Sequence, residues 1–540
     1  MKSLPLYIFA IGSLVLLSCS DDGSGTNHGT DDNIENIDLE NHDNLPSAEV
    51  NNSGQCKDTT LKETPGECGC QFEDKEIGGQ IYCPVRVMPQ NILPKLEEIP
   101  GDCGGWEYPK HHIVQYPKLP EFGLEVTIDT DAYGISRTYT EDKAIADATT
   151  KGLNKAIKDY KEQGFTRIVI PPGHYPLTSQ GIAVVSEMAL IMSKDVILQM
   201  IPVSRWDCGL ITISGVHDVY IEGGNLIGER FQHTNTTNPN TGATNTDEEC
   251  GGIQGANDQR IFINGLHIKS VHGDGIMIYK SKNHSTNEDL IIANCEIDEA
   301  YRNGLAPCGN GIRISNNHIH HTHGAAPQFG IDLECGTNER VIIDHNTFND
   351  NKNGDLVLSS KVADTTFIEY NSFSIGDLDR HGDAEFVPWS KNSFILYRNY
   401  FAKPAPSGGC SGQLTCTYGN REEDNNVKTF VVENDFPAQR IVLNRYNYMC
   451  IKGNVSHEGV ISVGGVPNLR LLDNRIEKFS DNPVQGKREI AIPKNSVKGI
   501  ASGNVLCTLD DSGKEVCNEI TALNEMKEDE YFPGRFTETF

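Results

Sequence analysis

The chain has 540 residues, of which 37% are hydrophobic and 22% are charged. This length suits several ordinary domains or one elongated fold, and the hydrophobic fraction excludes disorder along the whole chain. Acidic residues outnumber basic residues by 75 to 46, which gives a formal net charge of -29. Because no overall positive field is available to hold a phosphate backbone, nucleic acid is not an expected partner.

The N-terminus has the pattern of an export signal. Lys2 precedes an apolar run over residues 4–17, followed by Ser18 and Cys19. A charged start, a short apolar core and a small-residue site are typical of secretory signals. The last four of these residues, Leu-Leu-Ser-Cys, resemble a bacterial lipobox. We therefore expect residues 1–18 to be removed and Cys19 to carry a lipid, the alternative being an ordinary signal peptide with an incidental cysteine.

Residues 19–50 follow as a tether. They are rich in Asp, Asn, Ser and Gly, and residues 20–50 contain no Lys or Arg. Such a segment buries little apolar area, so it should stay solvated. The acidic pair Asp21 and Asp22 resembles the surface-export signal of Bacteroidetes lipoproteins. We expect a lipid anchor in the outer membrane, with the folded part exposed at the cell surface.

The cysteines indicate disulfide bonds. The chain has 16 of them, and an exported protein meets an oxidising environment. With Cys19 set aside an odd number remains, so at least one thiol should be free or pair elsewhere. Residues 51–105 crowd five cysteines among few apolar residues, which predicts a small disulfide-stapled module. Zinc is the alternative there, although Cys68 and Cys70 lack the usual two-residue spacer.

One helix is predicted, over residues 140–164. Thr140 can cap its start, apolar residues recur at helical spacing, among them Ile145, Leu153 and Ile157, and Gly164 can end it.

From about residue 208 onward, short β-branched segments bounded by turn formers predict strands. The predicted strands are residues 209–213, 219–221, 260–263, 275–278, 289–292, 311–314, 330–334, 340–343, 355–358 and 367–370. Asparagine-containing turns recur between them, as at 294–297, 316–319, 345–348, 370–373 and 472–476.

Glycines recur with the strands at a solenoid spacing. Gly252, Gly275, Gly304, Gly330 and Gly354 follow one another at roughly 22 to 30 residues. One such repeat cannot bury its own core, whereas stacked repeats can. The sequence therefore predicts an all-β fold, a right-handed parallel β-helix over residues 106–505, with the helix covering its open N-terminal edge and residues 506–540 as a C-terminal cap or tail.

Three stretches resemble bacterial members of the pectate-lyase-like superfamily. They are residues 171–175 (Pro-Pro-Gly-His-Tyr), 273–276 (Gly-Asp-Gly-Ile) and 323–334. The likeness covers roughly residues 125–500. It implies a β-helix with an exposed groove that binds polysaccharide, in a superfamily that includes lyases, glycosidases and epimerases. The motifs of polygalacturonases and the Arg-x-Pro-x-x-Arg pattern of pectate lyases are missing from matching places, so pectin is not supported as the substrate.

Candidate acids stand on the predicted strand 330–334. Alternation sends Ile331 and Leu333 inward and places Asp332 and Glu334 outward on one face. Two carboxylates that close suit proton transfer or a shared cation. Asp274, beside His272 at the start of an earlier strand, extends them into an acidic column. We expect Asp274, Asp332 and Glu334 to hold Ca²⁺, the alternative being ordinary solvated carboxylates.

Basic side chains near these acids could receive a uronate. Arg302, His323 and Lys280 are the candidates for charge neutralisation and for the base of a β-elimination. The cluster His318, His320, His321 and His323 could also hold a metal, but strand alternation divides it between two faces, which argues against that.

The first functional hypothesis is a monomeric lyase that cleaves an acidic, uronate-containing polysaccharide or its oligosaccharides. The second is a glycoside hydrolase that uses Asp332, Glu334 and Asp274 as acid and base. The third is a non-catalytic, glycan-binding surface protein. Fold resemblance carries architecture better than reaction, so the site has to decide among them.

Overall fold

The computed structural model describes residues 72–526 except for short interruptions. These are 204, 206, 235–248, 280–286, 335–337, 359–363, 374–385, 389–392, 402–412, 417–427, 438–439, 445–447, 458–459, 465, 467, 479–489, 494–499 and 521–523. The predicted signal, Cys19, the tether and residues 51–71 of the cysteine-rich module lie outside the described residues. No helix in the described part is long and apolar enough to cross a membrane.

In the described part of the chain, three long and almost entirely parallel sheet faces run side by side, and each circuit of the backbone visits them in the order sheet 1, sheet 2, sheet 3. Such a circuit is one rung of a β-helix. Inward-facing Ile, Leu, Val and Phe side chains from all three sheets form one continuous core. Because each strand pairs with the strand one rung away, stacking of the rungs buries the apolar side chains that a single rung would leave exposed.

Sheet 1 contains Ile182–Ala183, Asp207–Ser214, Glu249–Ala256, Ile276–Ile278, Leu305–Pro307, Phe329–Asp332, Gly354–Leu358 and Phe386–Pro388, with His272–Gly273 antiparallel beside it. Its place in later rungs is taken by Gln413–Cys416, Arg440–Asn444, Val460–Gly464, Ile490–Pro493 and Asn524–Met526.

Sheet 2 contains Pro84–Arg86, Phe122–Thr127, Arg167–Ile170, Met188–Met192, His217–Glu222, Gln259–Asn264, Glu288–Ala293, Asn310–Ser315, Glu339–Asp344, Thr366–Glu369, Phe394–Tyr397, Lys428–Val432, Tyr448–Lys452, Asn468–Leu472 and Ile500–Ser502.

Sheet 3 contains Gly173–Leu177, Val196–Met200, Asn225–Ile227, His267–Lys269, Glu296–Asp298, His318–His320, Thr347–Asn349, Ser372–Phe373, Tyr400–Phe401, Asp435–Pro437, Val455–His457, Arg475–Lys478, Val505–Leu509 and Glu515–Glu519. A separate hairpin joins Lys75–Ile77 to Gln80–Tyr82.

The predicted strands are confirmed to within two residues at their ends. The recurrent glycines stand where rungs approach closely: a Cβ on Gly275 would lie 2.5 Å from the Gly304 carbonyl oxygen, and a Cβ on Gly304 would lie 2.5 Å from that of Gly330. Gly354 is one position off this column, because the strand register pairs it with Phe329.

The helix α1 (Lys143–Glu162) covers the first rung. Asp142, rather than the predicted Thr140, is the N-cap, because its carboxylate accepts hydrogen bonds from the first-turn amides. Leu153 and Ile157 are buried in the core as predicted, whereas Ile145 is 41% exposed. The side chain of Asn154 accepts a hydrogen bond from Ala183 N and donates one to Gly181 O, so α1 satisfies the open edge of sheet 1.

Buried asparagines hold the turn between sheets 2 and 3, where the predicted asparagine turns lie. The ladder comprises Asn317, Asn346, Asn371, Asn399, Asn434, Asn454, Asn474 and Asn504. Each follows a residue with φ between 51° and 68°, which turns the backbone sharply. Asn346 Oδ1, for example, accepts from the Asn317 backbone N–H at 3.0 Å, while its Nδ2 donates to Ile314 O at 2.9 Å.

A cysteine precedes the ladder in the same column. The Cys295 backbone N–H donates to Asn317 Oδ1 at 2.9 Å. Cys295 is a free, buried cysteine, which confirms the prediction of an unpaired thiol. Burial raises the pKa of this thiol to about 12, so it stays protonated and unreactive.

An extended strap, residues 87–121, lies along the outer face of sheet 2. That face carries a column, aligned rung by rung from Tyr220 to Cys450, that is apolar at every rung but the one with Arg313, and its apolar members include Tyr220, Phe262, Ile291, Ile342, Phe367, Ile395, Phe430 and Cys450. Val87, Leu93 and Val114 of the strap pack against earlier rungs of sheet 2, and Ile99 and Trp106 pack against later rungs.

The tip of the strap is fixed by covalent and polar contacts. A disulfide joins Cys103 to Cys450. The Arg470 guanidinium donates to Cys103 O and lies 3.9 Å from the Trp106 ring centroid. The described part of the predicted cysteine-rich module thus packs on the β-helix, and the module as a whole stays a prediction.

Substitution of Asn346 by Ala should lower the free energy of unfolding by about 3 kcal/mol or more. The change leaves the Asn317 N–H and the Ile314 carbonyl buried without their partner, at roughly 1–3 kcal/mol each. Thr347→Ala, at the next and exposed position, is the matched control. Denaturant unfolding checks this, and equal destabilisation of the two variants would contradict the role given to the ladder.

Replacing both Cys103 and Cys450 by Ser should release the strap tip locally. We expect faster amide exchange over residues 96–110 and unchanged exchange in the core strands of sheet 2, measured by mass spectrometry, because packing still holds the rest. The pair Cys507 and Cys517, which bridges the last hairpin, provides the control when replaced in the same way. Unchanged exchange at the tip would mean that packing alone fixes the strap.

Candidate active site

Three predicted residues come together at sheet 1: Asp274 and Arg302 lie in turns that lead from sheet 3 into it, and Glu334 follows its strand Phe329–Asp332. Arg302 bridges two carboxylates, with one guanidinium nitrogen 3.0 Å from Asp274 Oδ2 and another 3.0 Å from Glu334 Oε1. Asp274 is fully buried, whereas the Glu334 side chain is 45% exposed and that of Arg302 is 13% exposed. A positive group is thus held between one buried and one accessible acid.

Asp274 acts as a structural acceptor in this arrangement. Its Oδ1 accepts from the Asn303 backbone N–H at 2.8 Å, and Asn303 Oδ1 in turn accepts from the Phe329 N–H at 3.0 Å. Burial raises the pKa of Asp274 to about 6, even though Arg302 and the Asn303 N–H act in the opposite direction. Asp274 therefore orients Arg302 from below and cannot itself touch a substrate.

Ile331 and Leu333 lie in the core as the alternation argument predicted, but Asp332 is not accessible. The strand Phe329–Asp332 ends at this residue, and Asp332 is buried with only 2% of its surface exposed. The register places Met277, and not Asp274, level with it. The predicted exposed pair and the predicted acidic column are therefore wrong, because the rung register could not be read from one sequence.

The two candidate bases differ in how far the structure describes them. His323 is exposed and lies one rung beyond Tyr301, its N–H bonded to Ala300 O. Its Nδ1 lies 2.8 Å from the His321 carbonyl, which can only accept, so Nδ1 carries the proton and Nε2 is left basic. Lys280 lies outside the described residues.

A stack of rings that the sequence argument missed borders the site. The His272 ring lies between the rings of His233, at 3.8 Å, and Tyr301, at 4.2 Å, with interplanar angles of 9° and 14°. His233 Nδ1 is 2.5 Å from the buried Glu229. The rung repeat could have predicted this stack. His272 stands four positions before Ile276, and Tyr301 stands four positions before Leu305, and these two strand residues pair between adjacent rungs.

Arg230 joins the stack to the candidate base. Its guanidinium donates to Glu299 O at 2.6 Å and to His323 O at 2.5 Å, and lies over the rings of Tyr301 and Phe231. Phe231 is 69% exposed. A second cation and an exposed aromatic ring thus accompany Arg302 along this edge of sheet 1.

The predicted calcium ligands fit a guanidinium better than a metal ion. Calcium takes six to eight oxygen ligands. Asp274 and Glu334 both bind Arg302, and Asp274, Asp332 and Glu334 do not form one of the ligand groups found within 4.8 Å in the described part of the chain. In this arrangement the three carboxylates do not fit a single calcium ion.

Comparison with known proteins agrees with the architecture. The family model described as a right handed beta helix region matches residues 251–374. The uncharacterised protein YclG of Bacillus subtilis is 26% identical over 207 residues, which is 34% of this chain and 35% of that protein. The prophage-derived uncharacterised protein YorA of the same organism is 27% identical over 209 residues, again 34% and 35%. The matched stretch thus spans about a third of these relatives.

Among solved structures, the A-module of the mannuronan C-5 epimerase AlgE6 of Azotobacter vinelandii is similar, with a TM-score of 0.44 and 13% identity over 70% of this chain and 98% of that chain. The adhesin PfbA of Streptococcus pneumoniae has a TM-score of 0.33 and 11% identity over 71% and 97%. The three parallel sheet faces and the match of the family model define the chain as a right-handed parallel β-helix protein.

The stability contributed by Asp274 should depend on pH in a defined direction. Its pKa is raised from 3.8 to about 6, so between these values the folded state binds more protons than the unfolded state. Stability must then fall as pH rises from 4 to 6 on account of this group. As the pH rises from 4 to 6, the free energy of unfolding of the wild type should therefore fall relative to that of Asp274→Asn, whose amide does not titrate.

The measurement is denaturant unfolding at pH 4, 5, 6 and 7 for the wild type and the variant. Thr347→Ala, an exposed change that removes no titratable group, is the control, and its free energy of unfolding should keep the pH dependence of the wild type. A pH-independent difference between the wild type and Asp274→Asn would show that Asp274 ionises normally.

Proposed function

We propose that this β-helix binds a uronate-containing polysaccharide along the outer face of sheet 1 and cleaves it by β-elimination. The observation that carries the proposal is the Arg302 guanidinium, which the buried Asp274 holds while its other side faces the accessible Glu334. Elimination next to a carboxylate needs such a group, because negative charge develops on that carboxylate when the C5 proton leaves.

A substrate carboxylate takes the place of Glu334 in this proposal. The Glu334 side chain is 45% exposed, and exposed ion pairs contribute only about 0–1 kcal/mol, so the exchange costs little. Asp274 stays in place beneath Arg302 and keeps the guanidinium oriented. The acids predicted to be catalytic thus act as a positioning residue, Asp274, and a replaceable partner, Glu334.

His323 is the base in this proposal. Its Nε2 removes the C5 proton, the electron pair moves toward the carboxylate bound by Arg302, and the C4–O bond breaks. The glycosidic oxygen leaves with a proton from solvent. His323 is exposed and follows Tyr301 by one rung, which supports its access to a chain lying across the rungs.

Two further features support sugar binding at this place. Phe231 is 69% and Tyr279 is 44% exposed, and exposed aromatic faces provide apolar contact area for sugar rings while their edges stay polar. Arg230 and Arg302 supply positive charge locally in a chain with a net charge of -29. A local pair of arginines can favour an anionic substrate because exposed charges farther away are screened by salt.

Hydrolysis is less well supported by the same residues. It needs two carboxyl groups that reach the glycosidic bond from opposite sides. Of the three acids predicted for that role, Asp274 is 0% exposed and Asp332 is 2% exposed, which leaves Glu334. Glu334 is bound to Arg302, so the set lacks an accessible acid and base pair.

Arg302→Lys should lower kcat/KM on a uronate polymer by about 100-fold or more. Lysine keeps the charge but cannot bond Asp274 and a second carboxylate with a planar fork, and loss of one such donor costs about 100- to 1,000-fold. Arg260→Lys, at the two-point pair with Asp218 on sheet 2, is the matched control and should keep full activity.

The assay follows the ultraviolet absorbance of unsaturated uronate and the appearance of reducing ends over a panel of uronate-rich and neutral polysaccharides. Both signals should rise together on a uronate-rich polymer. Reducing ends without absorbance would replace elimination by hydrolysis, and binding without either signal would favour a glycan-binding surface protein.

A further inference from the structure

The outer face of sheet 3 carries a second cluster, whose last residue, His321, lies next to the turn that holds His323. Three strands of adjacent rungs align in register there, so that Lys269, Asp298 and His320 form one column and His267, Glu296 and His318 form the next. His318 and His320 therefore share a face, as strand alternation predicts for residues two positions apart.

His321 joins them because of its backbone. It follows the strand His318–His320 and adopts φ 55°, the left-handed region. In regular strand conformation its side chain would point away from that of His320. Instead, His321 Nδ1 lies 2.8 Å from His320 Nδ1, and the two rings meet edge to face at 70°.

Three potential ligand atoms converge at this point. His321 Nδ1 is 2.9 Å and His320 Nδ1 is 3.2 Å from the same oxygen, Asp298 Oδ1. In a tetrahedral zinc site with bonds of 2.0–2.1 Å, ligand atoms lie about 3.3 Å apart. The triangle formed by the two nitrogens and the oxygen is close to one face of such a tetrahedron.

The hydrogen-bond pattern leaves lone pairs facing one another. His320 Nε2 is 3.2 Å from Glu296 Oε1, a carboxylate oxygen that can only accept, so in the neutral ring Nε2 carries the proton. The lone pair of His320 Nδ1 then points toward that of Asp298 Oδ1. A cation between them converts this repulsion into coordination.

The surroundings have the form of a metal site's outer shell. A ligating histidine usually donates its other N–H to a carboxylate, as His320 does to Glu296. His321 Nε2 lies 3.7 Å from Asp350 Oδ2 and can carry the proton on that side. The His318 ring stacks on His320 at 4.1 Å, and Lys269 Nζ holds the other Asp298 oxygen at 2.7 Å.

We propose that Asp298, His320 and His321 form a binding site for a divalent transition-metal ion of the zinc class, with water as the fourth ligand. Asp298 and His320 are buried and the His321 side chain is 47% exposed, which leaves an entry route on one side. The ion links two adjacent rungs from outside. The metal site and the proposed function can be tested separately, because the three ligand side chains take no part in the Arg302 site, and only the backbone carbonyl of His321 contacts His323.

The test is a Zn²⁺ titration of untagged protein, stripped with chelator and desalted, in competition with a chromophoric indicator. The wild type should bind one equivalent of Zn²⁺ more tightly than His321→Ala by at least 10-fold. Glu296→Gln should weaken binding by about 10- to 100-fold through the outer shell. Co²⁺ in place of Zn²⁺ should give the visible absorption of a tetrahedral site in the wild type.

His457→Ala is the matched control, since His457 lies on sheet 3 between two acids, 2.5 Å from Glu477 and 3.0 Å from Asp435, with no second histidine in that contact set. It should bind Zn²⁺ as the wild type does. His321 is exposed, so melting temperatures without metal verify that His321→Ala folds. Equal Zn²⁺ affinity of the wild type and His321→Ala, or an equal loss in His457→Ala, would overturn the proposal.

Discussion

Each rung of this solenoid must leave sheet 2 and enter sheet 3 at the same place as the rung below it. At that corner the strands stop pairing, and backbone groups turn inward, where water cannot reach them. The buried asparagines from Asn317 to Asn504 supply the missing bonds, because each side chain accepts from a backbone amide of the preceding rung and donates to a backbone carbonyl of that rung. This ladder keeps the rungs in register over the later half of the solenoid.

The register decides which side chains can meet. Residues far apart in the sequence lie level on neighbouring rungs, and so Arg302 can reach both Asp274 and Glu334. Asp274 and Asn303 occupy equivalent positions on adjacent rungs. Asp274 accepts a hydrogen bond from the Asn303 backbone N–H, and Asn303 accepts one from the Phe329 backbone N–H on the rung after that. The candidate site is thus built on a structural hydrogen bond, with a carboxylate in place of an amide to hold an arginine.

The outer faces of the sheets are used differently. Sheet 2 has apolar residues on both faces, and the strap of residues 87–121 covers the outer one. Sheet 3 carries polar columns outside, which bring His320 beside Asp298. The turns that lead into sheet 1 hold Arg302 and the ring stack around His272. One solenoid thereby offers a covered face, a candidate metal face and a candidate catalytic face.

The sequence by itself determined the strands, the asparagine turns, the capping helix and the free cysteine, because strand alternation, turn chemistry and cysteine parity are local or additive. It also named Asp274, Arg302 and Glu334. Only the tertiary structure decided that Asp332 is buried, that His272 stacks between two rings and that the strap covers sheet 2. These features depend on the rung register. The position of the His321 side chain beside His320 depends on one left-handed backbone angle. Alternation along a single strand can give neither.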